Sequence, residues 1–248
     1  MKRILTIVLT AAIAIESSFS VQAAVDASEA PNLSAMSASE VFNKEDVQRL
    51  LELARKQPVY EIVGDEEEED EDSDDIFSPQ SDRLQISPRK LASSGEEEAG
   101  KYAKRKGTIL VTSDAYKNLI STGHAGIVRN SNNVIEAVSS GVRTDGSMNW
   151  KKTKNEMWEV KVNGTTRIQR RKVANWCAEQ EGKPYNYLYP CMWRRDAFYC
   201  SHLVWAGYKD KLGIDLNTFF FDTKYGTAIH PVELVWTNKT TTIYYHKK

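Results

Sequence analysis

Apolar and polar positions divide the chain into stretches of different character. Residues 4–15 form a predominantly apolar run behind Lys2 and Arg3. Between 39 and 56, Val41, Val47, Leu50, Leu51 and Leu53 recur at helical spacing. That pattern predicts one amphipathic helix, with Ser39 or Asn43 as its cap. Beyond residue 100 the apolar runs shorten. Residues 107–112 (GTILVT), 123–129 (GHAGIVR), 134–138 (VIEAV) and the alternating 157–162 predict four strands, the second and third joined by the polar turn RNSNN. Residues 168–181 predict a helix stopped by Gly182 with Pro184 beyond. The strongest helical pattern is 199–212, where Leu203, Val204, Gly207, Tyr208 and Leu212 share a side and Gly213 closes the helix. A short strand at 241–245 ends the pattern, and no segment repeats.

Charge sharpens these divisions. The 248 residues carry a net charge of -1, but residues 1–100 hold 9 Lys+Arg against 22 Asp+Glu, and residues 101–248 hold 24 against 12. Within 65–75 only Ser73 is not acidic. Such a run repels itself and buries nothing, which predicts a disordered linker over 64–100 and a compact domain over 101–248. The apolar run at 4–15 is short for a membrane span, and Val21-Gln22-Ala23 offers small residues for a signal peptidase. The expectation is a signal peptide over 1–23, an N-terminal segment over 24–63, and a secreted or periplasmic product. The basic clusters of the second half, among them Lys104-Arg105-Lys106 and Arg170-Arg171-Lys172, favour anionic partners such as envelope polymers or acidic lipids. No base-reading module is visible, so nucleic acid is not expected. The opposed charges also predict that residues 38–75 dock onto the basic domain as a pro-segment or shield.

Three cysteines are present: Cys177, Cys191 and Cys200. Pairing of the first two would leave one thiol over; all three also suit small buried apolar positions. Cys200 falls at the start of the predicted 199–212 helix. The unpaired N–H groups and the positive dipole end there favour a thiolate and suit an oxyanion. Ser201 beside it is a candidate cap and a candidate substrate or oxyanion residue. A thiol nucleophile needs a base, and His124, on a glycine-rich strand, has no evident packing role. His202 follows too closely on the same helix, His230 falls in a predicted loop and His246 in the C-terminal tail. Glu136 is the lone charge in VIEAV and calls for a partner. A three-residue turn at 130–132 pairs position 124 with 138 and puts Glu136 on the face of His124; a two-residue turn puts it on the opposite face, and a solvent-facing Glu136 is the plainer alternative.

Taken in order, GTIL, GHAGIV, VIEAV followed by Gly141-Val142, KPYNY and FYCSHLVW resemble the permuted papain-like amidases of the YiiX/YaeF type, within the NlpC-type cysteine hydrolase superfamily. The likeness spans roughly residues 101–235. It implies an α+β, permuted papain-like fold: an antiparallel sheet or small barrel packed against the helix that carries the nucleophilic Cys, with the strands of the base preceding that helix. It further implies a Cys200–His124–Glu136 triad, a substrate or oxyanion hydrogen bond from Tyr185, and peptidoglycan peptides as substrate class. Where relatives carry an acidic residue after that tyrosine, this chain has Asn186. Permuted relatives that handle acyl lipids imply a lipid hydrolase or acyltransferase as the alternative, and an inactive wall-polymer binding module is the reading outside enzymes. No cofactor is called for, and Cys191 with Cys200-x-His202 matches no common zinc spacing.

Overall fold

Ile109, Leu110 and Val111 have no solvent exposure at all, and the strand they form lies inside an antiparallel sheet covered on both faces. The computed structural model describes residues 36–63, 83–115, 120 and 123–248, which all fall in one compact unit, Asn32–Lys248. The predicted signal peptide and the acidic run at 65–75 lie outside the described residues.

Two short helices open the described chain, α1 (Ala38–Val41) and α2 (Lys44–Arg55). One helix over 39–56 was expected. The break at Phe42 has a local cause: Ser37 and Glu40 form a capping box on α1, and Asn43 accepts from Asp46 N at 2.9 Å, starting a new helix. Four strands follow: β1 (Tyr60–Val63), β2 (Arg83–Ile86), β3 (Lys90–Leu91) and β4 (Glu97–Gly100).

The linker expected over 64–100 is therefore corrected for residues 83–100. β2 pairs with β1 and β3 with β4, while β4 joins the main sheet along the last strand. Gly100 has φ +77° and a Cβ there would lie 2.1 Å from Ile243 O, so this contact requires glycine. Composition could not reveal the pairing, because the groups that stabilise it sit some 145 positions away in sequence.

The remaining strands are β5 (Ile109–Thr112), β6 (His124–Val128), β7 (Asn133–Val138), β8 (Gly141–Ser147), β9 (Glu156–Val162) and β10 (Thr240–Lys247). The sheet order is β3-β4-β10-β9-β5-β6-β7-β8, antiparallel throughout and open, not closed into a barrel. The predicted strands of the 101–248 region all appear. β8 was not expected: its polar sequence GVRTDGS has no apolar alternation, and it forms as an edge strand on β7. His246 belongs to β10 and is buried, not in a free tail.

Helix α3 (Trp150–Thr153) covers one face of the sheet, where Trp150 joins Leu110, Val128 and Val134. On the other face α4 (Arg167–Ala178) and α5 (Cys200–Leu212) pack on β6 and β7, and α6 (Glu233–Trp236) packs on β5, β9 and β10. Thr166 and Gln169 cap α4 reciprocally, and Gly213, at φ +69°, closes α5. α4 and α5 approach closely at Gly207, where a Cβ would lie 2.7 Å from Cys177 Sγ. Cys177, Cys191 and Cys200 are all free thiols. Among the described residues no helix is long and apolar enough to cross a membrane.

Candidate active site

Cys200 is the first residue of α5, with extended Tyr199 as its N-cap and no side chain capping the helix. The expected cap at Ser201 is corrected: its hydroxyl donates to Ile229 O at 2.7 Å and ties α5 to the loop before α6. The first-turn N–H groups of this 13-residue helix are thus left uncapped at the thiol.

The β6–β7 hairpin pairs Ile127 with Ile135 and Val128 with Val134, and Arg129 N donates to Asn133 O at 2.9 Å. This is the register of a three-residue turn at 130–132, and it puts His124 and Glu136 on the same face. Alternation along β6 sends Ala125 and Ile127 into the α5 side, and His124 to the side of Trp150, whose ring stacks on the imidazole at 5.7 Å between centroids. His124 is the first residue of its strand, and the Cys200 thiol on α5 is near enough to help raise the pKa of its imidazole.

Glu136 Oε2 accepts from His124 Nε2 at 2.5 Å. Its other oxygen, Oε1, accepts from Arg143 Nε at 3.0 Å and Nη2 at 2.5 Å. Arg143 is the cross-strand partner of Glu136 on β8 and was missed in the sequence. The lone carboxylate in VIEAV was a signal that a cation must lie nearby, but β8 itself was unrecognised. Glycines leave room for the carboxylate: a Cβ on Gly146 would lie 2.4 Å from Glu136 Oε1.

Burial lowers the pKa of His124, but hydrogen bonds and charges from Cys200 and Glu136 outweigh it and raise the imidazole to about 9. Burial pushes Glu136 up, yet His124 and Arg143 together hold it below its ordinary value. The other three histidines behave oppositely. Burial presses His202 and His230 each down to about 3, and His246 is lowered as well. His202 Nε2 bonds Met192 O at 2.9 Å, which commits that ring to the loop packing.

Tyr185 is buried, with its hydroxyl close enough to Cys200 to feel a thiolate charge and without a well-formed hydrogen bond of its own. Asn186 is wholly buried; its Oδ1 accepts from Leu188 N at 3.0 Å, so it shapes the loop after Tyr185. Among the described residues no cluster of His, Cys, Asp and Glu suits a metal.

A thiol at a helix start, with an imidazole and a carboxylate on antiparallel strands that precede that helix, is the arrangement a papain-like cysteine hydrolase in permuted order needs. The chain belongs to the permuted papain-like amidases of the YaeF/YiiX type, the C92 family, whose profile matches residues 107–242. It is a hydrolase of the cysteine peptidase/amidase kind. A similar solved structure is the crystal structure of metalloprotein yiiX from Escherichia coli O157:H7, DUF1105, at 22% identity over 56% of this chain and 96% of that one, with a TM-score of 0.43. No curated protein matches the chain.

Proposed function

We propose that this chain is an exported amidase that cleaves an amide bond in peptidoglycan peptides through Cys200, His124 and Glu136. The observation that carries the reading is the buried His124–Glu136 contact at 2.5 Å, in which His124 alone of four histidines has a raised pKa, with Cys200 and Glu136 as the causes.

The ionised Glu136 accepts from Nε2–H, which leaves Nδ1 as the ring atom for the thiol. The Cys200 proton passes to His124, and the thiolate attacks the scissile carbonyl. A C–S bond forms and the carbonyl π pair moves onto oxygen. The N–H groups of the first turn of α5 stabilise that oxyanion, and the Tyr185 hydroxyl, short of a partner, is a further donor. His124 returns its proton to the departing nitrogen as the C–N bond breaks. Water, deprotonated by His124, then attacks the thioester, releasing the carboxylic acid and restoring the thiol. Export and an anionic wall substrate are supported by the signal-like residues 1–23 and the basic second half.

The test is mass spectrometry of purified peptidoglycan, and separately of lipid extracts, after incubation with wild type and with Cys200→Ser. New amine and carboxylate ends in peptidoglycan with wild type only are the expected result. Products confined to the lipid extract would replace the substrate class with acyl lipids. No wild-type product in either would favour a binding module.

A further inference from the structure

The candidate centre is closed: Cys200 is 2% exposed and His124 1%. Residues outside the family-matched span belong to the same core as the thiol. Phe42, Val47, Leu50 and Leu51 from the α1–α2 segment share one apolar cluster with Cys200, Tyr185 and Tyr189. Phe42 is the residue aimed inward. Its ring stands edge-on to Tyr189 at 5.5 Å, Tyr199 at 6.4 Å, Phe221 at 5.3 Å and His230 at 5.2 Å. Tyr189 and Tyr199 are the inner wall of this cage: their rings lie 5.2 Å apart, and Tyr199 is the N-cap residue directly before Cys200.

The four rings of the cage carry no charge, and the carboxylate at its edge, Glu233, accepts from His230 N at 2.7 Å and is pushed up by burial to about 7. Burial keeps His230 neutral, with Nδ1 accepting from Val232 N at 3.2 Å, and the Tyr199 hydroxyl is engaged by Ile229 N at 3.0 Å. The backbone is shaped to deliver the Phe42 ring. Phe42 (φ -110°, ψ 79°) is the one residue between α1 and the Asn43 cap of α2, in neither helix. Farther on, Arg55 clamps the end of α2 to Glu156 through two hydrogen bonds of 2.7 Å. The segment is therefore docked by apolar packing and by a basic residue on an acidic one, the reverse of the polarity expected from the net charges.

We infer that the cage of Tyr189, Tyr199, Phe221 and His230 is a substrate subsite for a bulky apolar or aromatic group next to Cys200, and that Phe42 fills it in the resting chain as a stand-in for that group. The inference rests on Cys200 being the nucleophile. It adds that the group beside the cleaved bond is apolar and that the α1–α2 segment must withdraw before substrate enters. An apolar cage lined by aromatic edges gains by holding another ring, and would lose by desolvating a charged one.

The experiment uses the full chain and follows alkylation of Cys200 by iodoacetamide and by N-benzyl iodoacetamide, with peptide mass spectrometry to identify the site. Wild type should react slowly with both. Phe42→Ala should gain about tenfold or more with the benzyl reagent and clearly less with the small one, and Phe42→Leu should fall between. Leu50→Ala, which loosens the same segment without emptying the cage, guards against general unfolding and should show no benzyl preference. Equal acceleration by both reagents, a benzyl preference in Leu50→Ala, or no acceleration in either Phe42 variant would overturn the subsite. The parent reading fails separately: if His124→Ala leaves alkylation by both reagents unchanged, Cys200 is not the activated nucleophile, whatever the cage does.

Discussion

Arg143 and Glu136 face each other across β7 and β8, and the guanidinium holds Oε1 so that Oε2 is left to His124. The carboxylate is thus held on its second oxygen by a side chain from the neighbouring strand. Arg143 is 40% exposed at its side chain while Glu136 is 4% exposed, so the pair joins solvent to the interior.

Removing Arg143 should change the pH dependence more than the fold. Burial pushes Glu136 up, and His124 and Arg143 are what hold it below its usual range. In Arg143→Gln the burial effect regains ground and Glu136 takes up its proton at a higher pH. The acid limb of kcat/KM should move to higher pH, so that the loss is greater near pH 5 than near pH 8. A uniform loss across pH would show that Arg143 acts on folding alone.

His124 sets the alkaline side. Its pKa is raised from 6.5 to about 9. A group with a raised folded pKa contributes stability that is fully present below about 6.5 and is lost as pH rises through about 9. Urea midpoints should therefore fall between pH 6.5 and 9.5 in wild type, and fall less in Glu136→Gln, which loses one of the two groups that raise the imidazole. The alkaline limb of the rate should lie near pH 9 in wild type and lower in the variant. Identical profiles would remove Glu136 from any role in orienting His124.

Gly146→Ala tests the space around the carboxylate. The new Cβ would lie 2.4 Å from Glu136 Oε1 and 2.8 Å from Val134 O, contacts that no real Cβ makes. The expected cost is about 1–3 kcal/mol in chemical denaturation, together with a drop in kcat as Glu136 is displaced from Arg143 and His124. A destabilised protein with wild-type kcat at low temperature would mean that the strand yields and the carboxylate does not.

Tyr185→Phe separates packing from chemistry. The hydroxyl is buried without a well-formed hydrogen bond, so its removal should cost under about 1 kcal/mol. If it donates to the oxyanion, kcat should fall about tenfold or more with KM little changed. An unchanged kcat would leave Tyr185 as an aromatic wall beside Tyr189.

The elements after residue 100 were legible because they are local. GTILVT, GHAGIVR and VIEAV are apolar runs that become strands, and Gly213 supplies the left-handed turn that ends α5. The hairpin turn at 130–132 was one of two options in the sequence; the pairing of Ile127 with Ile135 selects the option that brings Glu136 to His124. Arg143 was hidden because β8 has no apolar alternation and exists only as a partner of β7. Residues 83–100 were hidden for the same reason, since β4 is made by its pairing with β10.

Apolar period and stop signals were enough for the strands after residue 107 other than β8 and for the helix over 199–212, and the family resemblance supplied the α+β class. Those elements depend on hydrogen bonds and side-chain spacing within a few residues. The approach of His124 on the Trp150 side of the sheet to a thiol on α5, the Arg143 brace and the Phe42 ring among Tyr189, Tyr199, Phe221 and His230 depend on contacts between segments far apart in sequence. Such contacts arise only when the sheet twists, the helices settle on it and each buried polar group finds the partner that the assembled core presents.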